Sequence, residues 1–269
     1  LLISDYHIGG LIFFQGSPEK QFMMTHRLQS AAQVPLFIAM DAEWGLAMRL
    51  DEVLPLPRLM TLGAIKDERL IYNFGAEIAR QCRLMGVHIN FAPVLDVNNN
   101  PANPVINIRS FGENPARVAR QGTSLLEGLQ DNGILAVGKH FPGHGDTRTD
   151  SHYTLPLIGH DRARLDSVEL HPFKEAIDAG LDGIMVAHLN IPAMEPRAGW
   201  SASLSENIIS GTLRDDLNFK GLVFTDALNM KGATDLLAPG QLEVEAFRAG
   251  NDILVMPVNL PAVIRAFRQ

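Results

Sequence analysis

Short apolar runs recur along the chain at residues 10–14, 36–40, 89–95, 134–138, 183–187, 221–225 and 253–256. None alternates polar with apolar positions. Each is therefore expected to bury both faces, as the strands of a parallel sheet covered by helices do. Helical patterns lie between the runs. Ser17-Pro18-Glu19 is a start signal, an N-cap followed by Pro at the first helical position. Ile71, Phe74, Ile78, Cys82 and Met85 share one helical face, which Gly86 ends. Asn114-Pro115 opens another helix, with Val118, Leu125 and Leu129 inward and Gly133 at its close. A short helix follows Pro172, and Ser205 opens one carrying Ile208, Ile209, Leu213 and Leu217. Residues 241–250, with Val244 and Phe247, form a further one.

Strand and helix patterns alternate throughout, which means βα units. No Gly-rich linker or composition shift divides residues 1–269, so a single domain is expected. A Gly-x-Gly-x-x-Gly fingerprint does not follow the first run, and a dinucleotide-binding fold has no support. Seven runs in sequence order suit a TIM-type (β/α)8 barrel with one strand unseen. The chain opens abruptly on Leu1, which is not an initiator Met, just before a strand. The missing first strand and helix are expected upstream of Leu1.

Composition adds exclusions. With 269 residues, 46% hydrophobic and 20% charged, the chain is ordinary for a globular protein. A net charge of -7 and the absence of any long basic run argue against a nucleic-acid partner. No apolar stretch approaches the roughly 20 residues of a membrane span. Cys82 is the only cysteine, so no intrachain disulfide forms. That leans towards a reducing, cytoplasmic compartment, while the missing start leaves the periplasm or cell envelope open.

In such a barrel the active site is built at the C-terminal ends of the strands. Asp41 follows the second run, Asp96 the third, Lys139-His140 the fourth, His188 the fifth and Asp226 the sixth. Ionisable groups there cost desolvation unless paired, so a polar active site is expected at this rim. Asp226, rigidly held at a strand end, suits a covalent nucleophile; the plainer reading is a carboxylate pairing Lys139 or Arg109. In Asp150-Ser151-His152 the Asp can orient the imidazole and stabilise its charged form, which makes His152 a candidate general acid/base. Most Asp-x-His triplets are surface loops. Arg109 and Arg49 can hold a hydroxyl-rich or anionic ligand or anchor their loops.

His140, His144 and His152 are alternative metal ligands, but Pro142, Gly143 and Gly145 forbid the regular helix that would aim such spacing at one ion. No metal is expected. Lys139 could form a Schiff base, or stay charged and hydrogen-bond substrate oxygens. Asp215-Asp216 lies before a strand, at the wrong barrel end. His7, His26, His160 and His171 are read as structural or solvent-facing. Trp44 sits in a polar rim loop, where a sugar face could stack on it or where it plugs the loop.

The run Lys139-His140-Phe141-Pro142-Gly143-His144-Gly145-Asp146-Thr147, followed by Asp150-Ser151-His152, resembles the signature of the β-N-acetylglucosaminidase branch of family 3 glycoside hydrolases. Phe91-Ala92-Pro93-Val94-Leu95-Asp96, Ile108-Arg109-Ser110-Phe111-Gly112 and the Asp226 segment fall in that family's order. The resemblance implies retaining hydrolysis of terminal β-linked N-acetylglucosamine through a glycosyl-enzyme intermediate. By it Asp226 matches the nucleophile, His152 the acid/base and Asp150 its partner. Asp41, Arg49, Arg109, Lys139 and His140 match sugar-binding residues, and no metal or organic cofactor is implied. The implied substrate is a muropeptide-derived N-acetylglucosaminyl-anhydro-muramic acid, as in peptidoglycan recycling, or another glycan ending in N-acetylglucosamine.

A His donor in place of a carboxylic acid adds no second negative charge, so phosphorolysis stays open beside hydrolysis. A non-catalytic glycan-binding barrel is the remaining alternative. One departure is visible: the family commonly has Asp-x-Glu-Gly-Gly where this chain has Asp41-Ala42-Glu43-Trp44-Gly45. It bears on aglycone preference rather than chemistry. Within residues 139–152, Lys139 and His140 are expected to hold the sugar at the rigid strand end. Asp150 and His152 are expected on the outer part of the same loop, to swing or settle over the glycosidic oxygen; if the loop moves, the acid/base arrives only with substrate.

Overall fold

A computed structural model describes residues 2–269. Its frame is a curled parallel sheet of six strands in sequence order: β1 (Gly10–Phe13), β2 (Phe37–Met40), β3 (Ile89–Asn90), β4 (Leu135–Phe141), β5 (Gly183–Val186) and β6 (Leu222–Thr225). Each strand pairs with the next, for example Gly10 with Phe37 and Val186 with Thr225. Parallel neighbours need crossovers, and helices such as Pro18–Ala31, Glu68–Leu84 and Pro115–Gln130 supply them.

Three apolar runs behave differently from expectation. β1 is only partly buried along Leu11, Ile12 and Phe13, because as the edge strand it has a paired neighbour on one side alone. The run at 89–95 stays a regular strand only to Asn90. Pro93 has no N–H to give a ladder, and the Ala92–Pro93 peptide is cis. Pairing continues irregularly beyond it, with Lys139 N–H on the Pro93 carbonyl and Leu95 N–H on that of Lys139. The run at 253–256 makes a single bridge, Ile253 to Phe224, before Met256 turns the backbone to φ 51°. Among the described residues the sheet therefore has six strands, not the seven of an almost complete eight-stranded barrel.

Strand β4 runs further than its apolar pattern. Lys139, His140 and Phe141 lie within it, and the Lys139–His140 and Phe141–Pro142 peptides are both cis. The helix starts expected at Ser17 and Asn114 hold: each accepts a backbone N–H of the first turn, as does Asp67 before Glu68–Leu84. Ser205 Oγ accepts the N–H of Ile208 at 3.2 Å, although that helix, Asn207–Asp216, winds in the wider π register. Inside the curl, Ala39, Ile89, Phe91, Val137, Met185, Phe224 and Val255 form one apolar cluster. Phe91 meets Phe224 edge-to-face at 5.7 Å. Phe91, Met185 and Val255 are also the floor of the cleft that opens above the strand ends.

Candidate active site

That cleft has a volume of about 320 Å³. Asp41, Arg49, Arg109, Lys139, His140, His152 and Asp226 all line it. Of the eight expected site residues, only Asp150 is not part of the wall, and it stands directly behind His152 (Nδ1 to Oδ1, 2.7 Å).

One side of the cleft is a buried charge network. Lys139 Nζ lies 2.6 Å from Asp41 Oδ1 and 2.9 Å from Glu43 Oε1. Arg109 grips Glu43 through Nη2 at 2.7 Å and Nε at 3.0 Å, and Arg49 pairs with the other oxygen of Asp41. Burial alone would push both carboxyls up and the Lys139 ammonium down. The opposite charges outweigh it, so Asp41 and Glu43 are lowered and Lys139 raised. A lysine held protonated by two carboxylates is no Schiff-base nucleophile; it donates hydrogen bonds. Arg109 anchors its loop and faces the cleft at once, so its two readings are compatible.

His140 continues this wall. Its Nδ1 lies 2.7 Å from Asp96 Oδ2, and Arg109 Nη2 lies 3.3 Å from its Nε2. Asp96, fully buried, also accepts the backbone N–H groups of His140 and of His144, the latter at 2.6 Å. These contacts overcome the burial that would raise its carboxyl and leave it lowered. Asp96 thus sets the ring of His140 and the start of the following loop.

Asp226 stands across the cleft, just past β6. Its Oδ1 accepts the N–H of Ala227 at 2.8 Å. Among the described residues it forms no ion pair, so the plainer reading of a carboxylate paired to Lys139 or Arg109 is not met. Burial raises its carboxyl, but the neighbouring His188, His140 and Lys139 and the Ala227 N–H together lower it. His188, fully buried beyond β5, is fixed by Ser203 Oγ at 2.7 Å from Nδ1 and by the Ala227 carbonyl at 3.0 Å from Nε2. It holds the turn that aims Asp226.

His152 lies on the long loop after β4, with its side chain 60% exposed. Asp150 takes both its backbone N–H, at 2.8 Å, and its ring. Those bonds outweigh burial and lower the Asp150 carboxyl. His152 lines the same cleft as Asp226. His144 is buried, with Nδ1 2.7 Å from Thr147 Oγ1 and Nε2 3.1 Å from Ser151 Oγ. With both ring nitrogens of His140 and of His144 engaged inside the protein, the three loop histidines do not present a common set of metal donors.

Outside the cleft, Asp146, His160 and Glu169 bring donor atoms within 4.8 Å of one another. Arg164 already serves that carboxylate cluster, its Nη1 2.6 Å from Glu169. His160, read as structural or solvent-facing, pairs with Asp146 at 2.6 Å. Trp44 does not line the cleft; the guanidinium of Arg58 covers its ring at 3.3 Å. The departure from Gly at position 44 is structurally mild. Of the two residues after Glu43, it is Gly45 that takes a positive φ, of 82°. Cys82 is buried in the helix Glu68–Leu84, its thiol pushed up to about 12 by burial, and it is inert.

Sequence placed Asp96 and His188 at the polar rim and weighed His144 as a metal ligand without giving any of them a role towards substrate, and it did not single out Glu43 or Ser151. Glu43, Asp96 and His188 carried a signal, standing at or just past strand ends. For His144 and Ser151 the signal lay only in the spacing of the loop.

The glycosyl hydrolase family 3 N-terminal domain matches residues 1–268. A Beta-hexosaminidase A from Pseudoalteromonas piscicida is 39% identical over 293 residues, covering 100% of this chain and 49% of that protein. The structure of a glycoside hydrolase family 3 beta-N-acetylglucosaminidase from Paenibacillus sp. str. FPU-7 superposes with a TM-score of 0.93 at 43% identity, over 98% of this chain and 52% of that one. The beta-glucoside phosphorylase BglX superposes with a TM-score of 0.92 at 26% identity, over 97% and 49%. The chain thus spans about half the length of each of these relatives.

Proposed function

The chain belongs to glycosyl hydrolase family 3, and from that premise we propose that it removes terminal β-linked N-acetylglucosamine from glycans or peptidoglycan fragments with retention of configuration. We read the curled sheet as most of a (β/α)8 barrel forming a single catalytic domain. The observation that carries the reading is the shared cleft: an unpaired, lowered carboxylate, Asp226, and a carboxylate-backed imidazole, His152, face one space with a wall of paired charges.

In this mechanism Asp226, ionised and with Oδ1 held by Ala227, attacks the anomeric carbon through its other oxygen. As the glycosidic C–O bond breaks, His152 gives its Nε2 proton to the departing oxygen, while Asp150 holds Nδ1 and stabilises the imidazolium. Water then attacks the glycosyl ester from the vacated side. The neutral imidazole takes its proton, and Asp226 leaves. Asp41, Lys139, Arg49, Arg109 and His140 offer donors and acceptors to the ring hydroxyls and hold the anomeric carbon in line.

Phosphorolysis is the second reading. A histidine donor adds no negative charge beside the leaving group, Arg49 and Arg109 face the cleft, and a phosphorylase shares the fold. Product analysis distinguishes the two. N-acetylglucosaminyl-anhydro-muramic acid and chitobiose, each with and without phosphate, are expected to yield free β-N-acetylglucosamine first in every case. Sugar 1-phosphate as the main product would replace hydrolysis with phosphorolysis. No turnover of either would leave the glycan-binding barrel.

A further inference from the structure

The loop that carries Asp150 and His152 is open to solvent around them: Tyr153 is 70% exposed. Ser151, between the two, is 2% exposed. Its side chain and its backbone are each tied to a different part of the fold. The Oγ lies 3.1 Å from Nε2 of His144, and the carbonyl accepts the N–H of Gly232 at 3.2 Å.

Both supports are themselves fixed. His144 gives its backbone N–H to Asp96 at 2.6 Å, and its carbonyl takes Asn103 Nδ2 at 2.8 Å. Its Nδ1 is 2.7 Å from Thr147 Oγ1. Asp96 is the same carboxylate that sets the His140 ring. Gly232 sits in the short helix Lys231–Thr234, a few residues beyond Asp226. A Cβ on Gly232 would meet the carbonyls of Thr154 at 3.0 Å and Ser151 at 3.1 Å, so the bare backbone is what lets the loop come so close.

We propose that Ser151, held between His144 and Gly232, is the positioning residue that registers the Asp150–His152 pair against Asp226 before substrate arrives. The inference rests on the glycosidase reading above. The His144 contact refers the proton donor to the sugar-binding strand β4. The Gly232 contact refers it to the segment that carries the nucleophile. An imidazole on an exposed loop, free to wander, would have to be ordered in every catalytic cycle, and a misplacement of about 1 Å can cost about 10²-fold in rate. The anchor removes that requirement, while the exposed flanks leave His152 reachable by large aglycones.

The test compares Ser151→Ala with Ser151→Thr, which keeps the hydroxyl. Hydrogen exchange is followed in residues 148–156. Turnover is measured on a p-nitrophenyl N-acetylglucosaminide and on an alkyl N-acetylglucosaminide with a poor leaving group. Ser151→Ala is expected to speed exchange in that segment at least about tenfold and leave β4 and β5 unchanged. It should lower turnover of the alkyl substrate by about 10- to 100-fold, with a several-fold smaller loss on the p-nitrophenyl one. Ser151→Thr should restore both. Unchanged exchange, or equal losses on the two substrates, overturns the proposal. If the wild-type protein turns over neither substrate, the glycosidase reading falls instead, and the exchange measurement alone decides the anchor.

Discussion

Glu43 and Lys139 lie 2.9 Å apart, with side chains 0% and 2% exposed, and each also holds a second partner of opposite charge. The network they form with Asp41 and Arg109 is balanced among these members, two carboxylates against an ammonium and a guanidinium. Removing one member leaves a buried charge without its counterion. Glu43→Ala is expected to destabilise the fold by about 3–5 kcal/mol, measured by urea unfolding at neutral pH. A loss below about 1 kcal/mol would mean that water or a rearranged Asp41 replaces the carboxylate.

The two sides of the chemistry separate by leaving group. Asp226→Ala should remove measurable turnover of every N-acetylglucosaminide, because no other unpaired carboxylate faces the cleft among the described residues. His152→Ala should lower turnover of alkyl glycosides by about 10²–10⁴-fold, the range for a positioned general acid. It should affect activated aryl glycosides much less. Equal slowing of both classes would remove the acid role from His152.

Stability should fall between pH 6.5 and about 4 for a reason located in the loop. Burial, with His140 adding to it, pushes the His144 imidazole down to about 4, against an ordinary value of 6.5. Below 6.5 the unfolded chain binds a proton that the folded chain refuses, so stability is lost as pH drops through this window and levels off beneath it. Buried His188, also pushed down, acts with the same sign. His144→Leu should flatten the profile by about 3 kcal/mol across the window. Unfolding free energies at several pH values check this, and an unchanged slope would show that His144 is not the group responsible.

Trp44→Gly should be nearly silent in catalysis. The indole faces Arg58 and not the cleft. Turnover of muropeptide and chitobiose substrates should keep its ratio within about twofold, while stability falls by about 0.5–2 kcal/mol, the range of a cation–π pair. A shift in aglycone preference would place the ring nearer the substrate than this geometry has it.

The strands were legible because burial on both faces leaves an uninterrupted apolar run, and a strand end is where a barrel puts its chemistry. That rule found Asp41, Lys139, His140 and Asp226 without any contact being known. It missed what depends on distance in sequence. Glu43 becomes a site residue only when Arg109, 66 residues on, folds against it. The rule named both Asp96 and His140 but not their pairing, across 44 residues. The rule also overreached where a run was apolar but could not pair regularly, at Pro93 and at the turn made by Met256. Trp44 stayed open between a sugar platform and a loop plug, because a polar rim loop says nothing about which way an aromatic ring turns.

Residues 139–152 put the proposed sugar-binding groups Lys139 and His140 and the proposed proton donor His152 on one uninterrupted segment, which invites the idea of a portable cassette. The supports say otherwise. Asp96, Asn103 and Gly232 reach the segment from three other stretches of chain. Grafted by itself onto another scaffold, it would leave Asp226 behind and lose the spacing of the groups it carries.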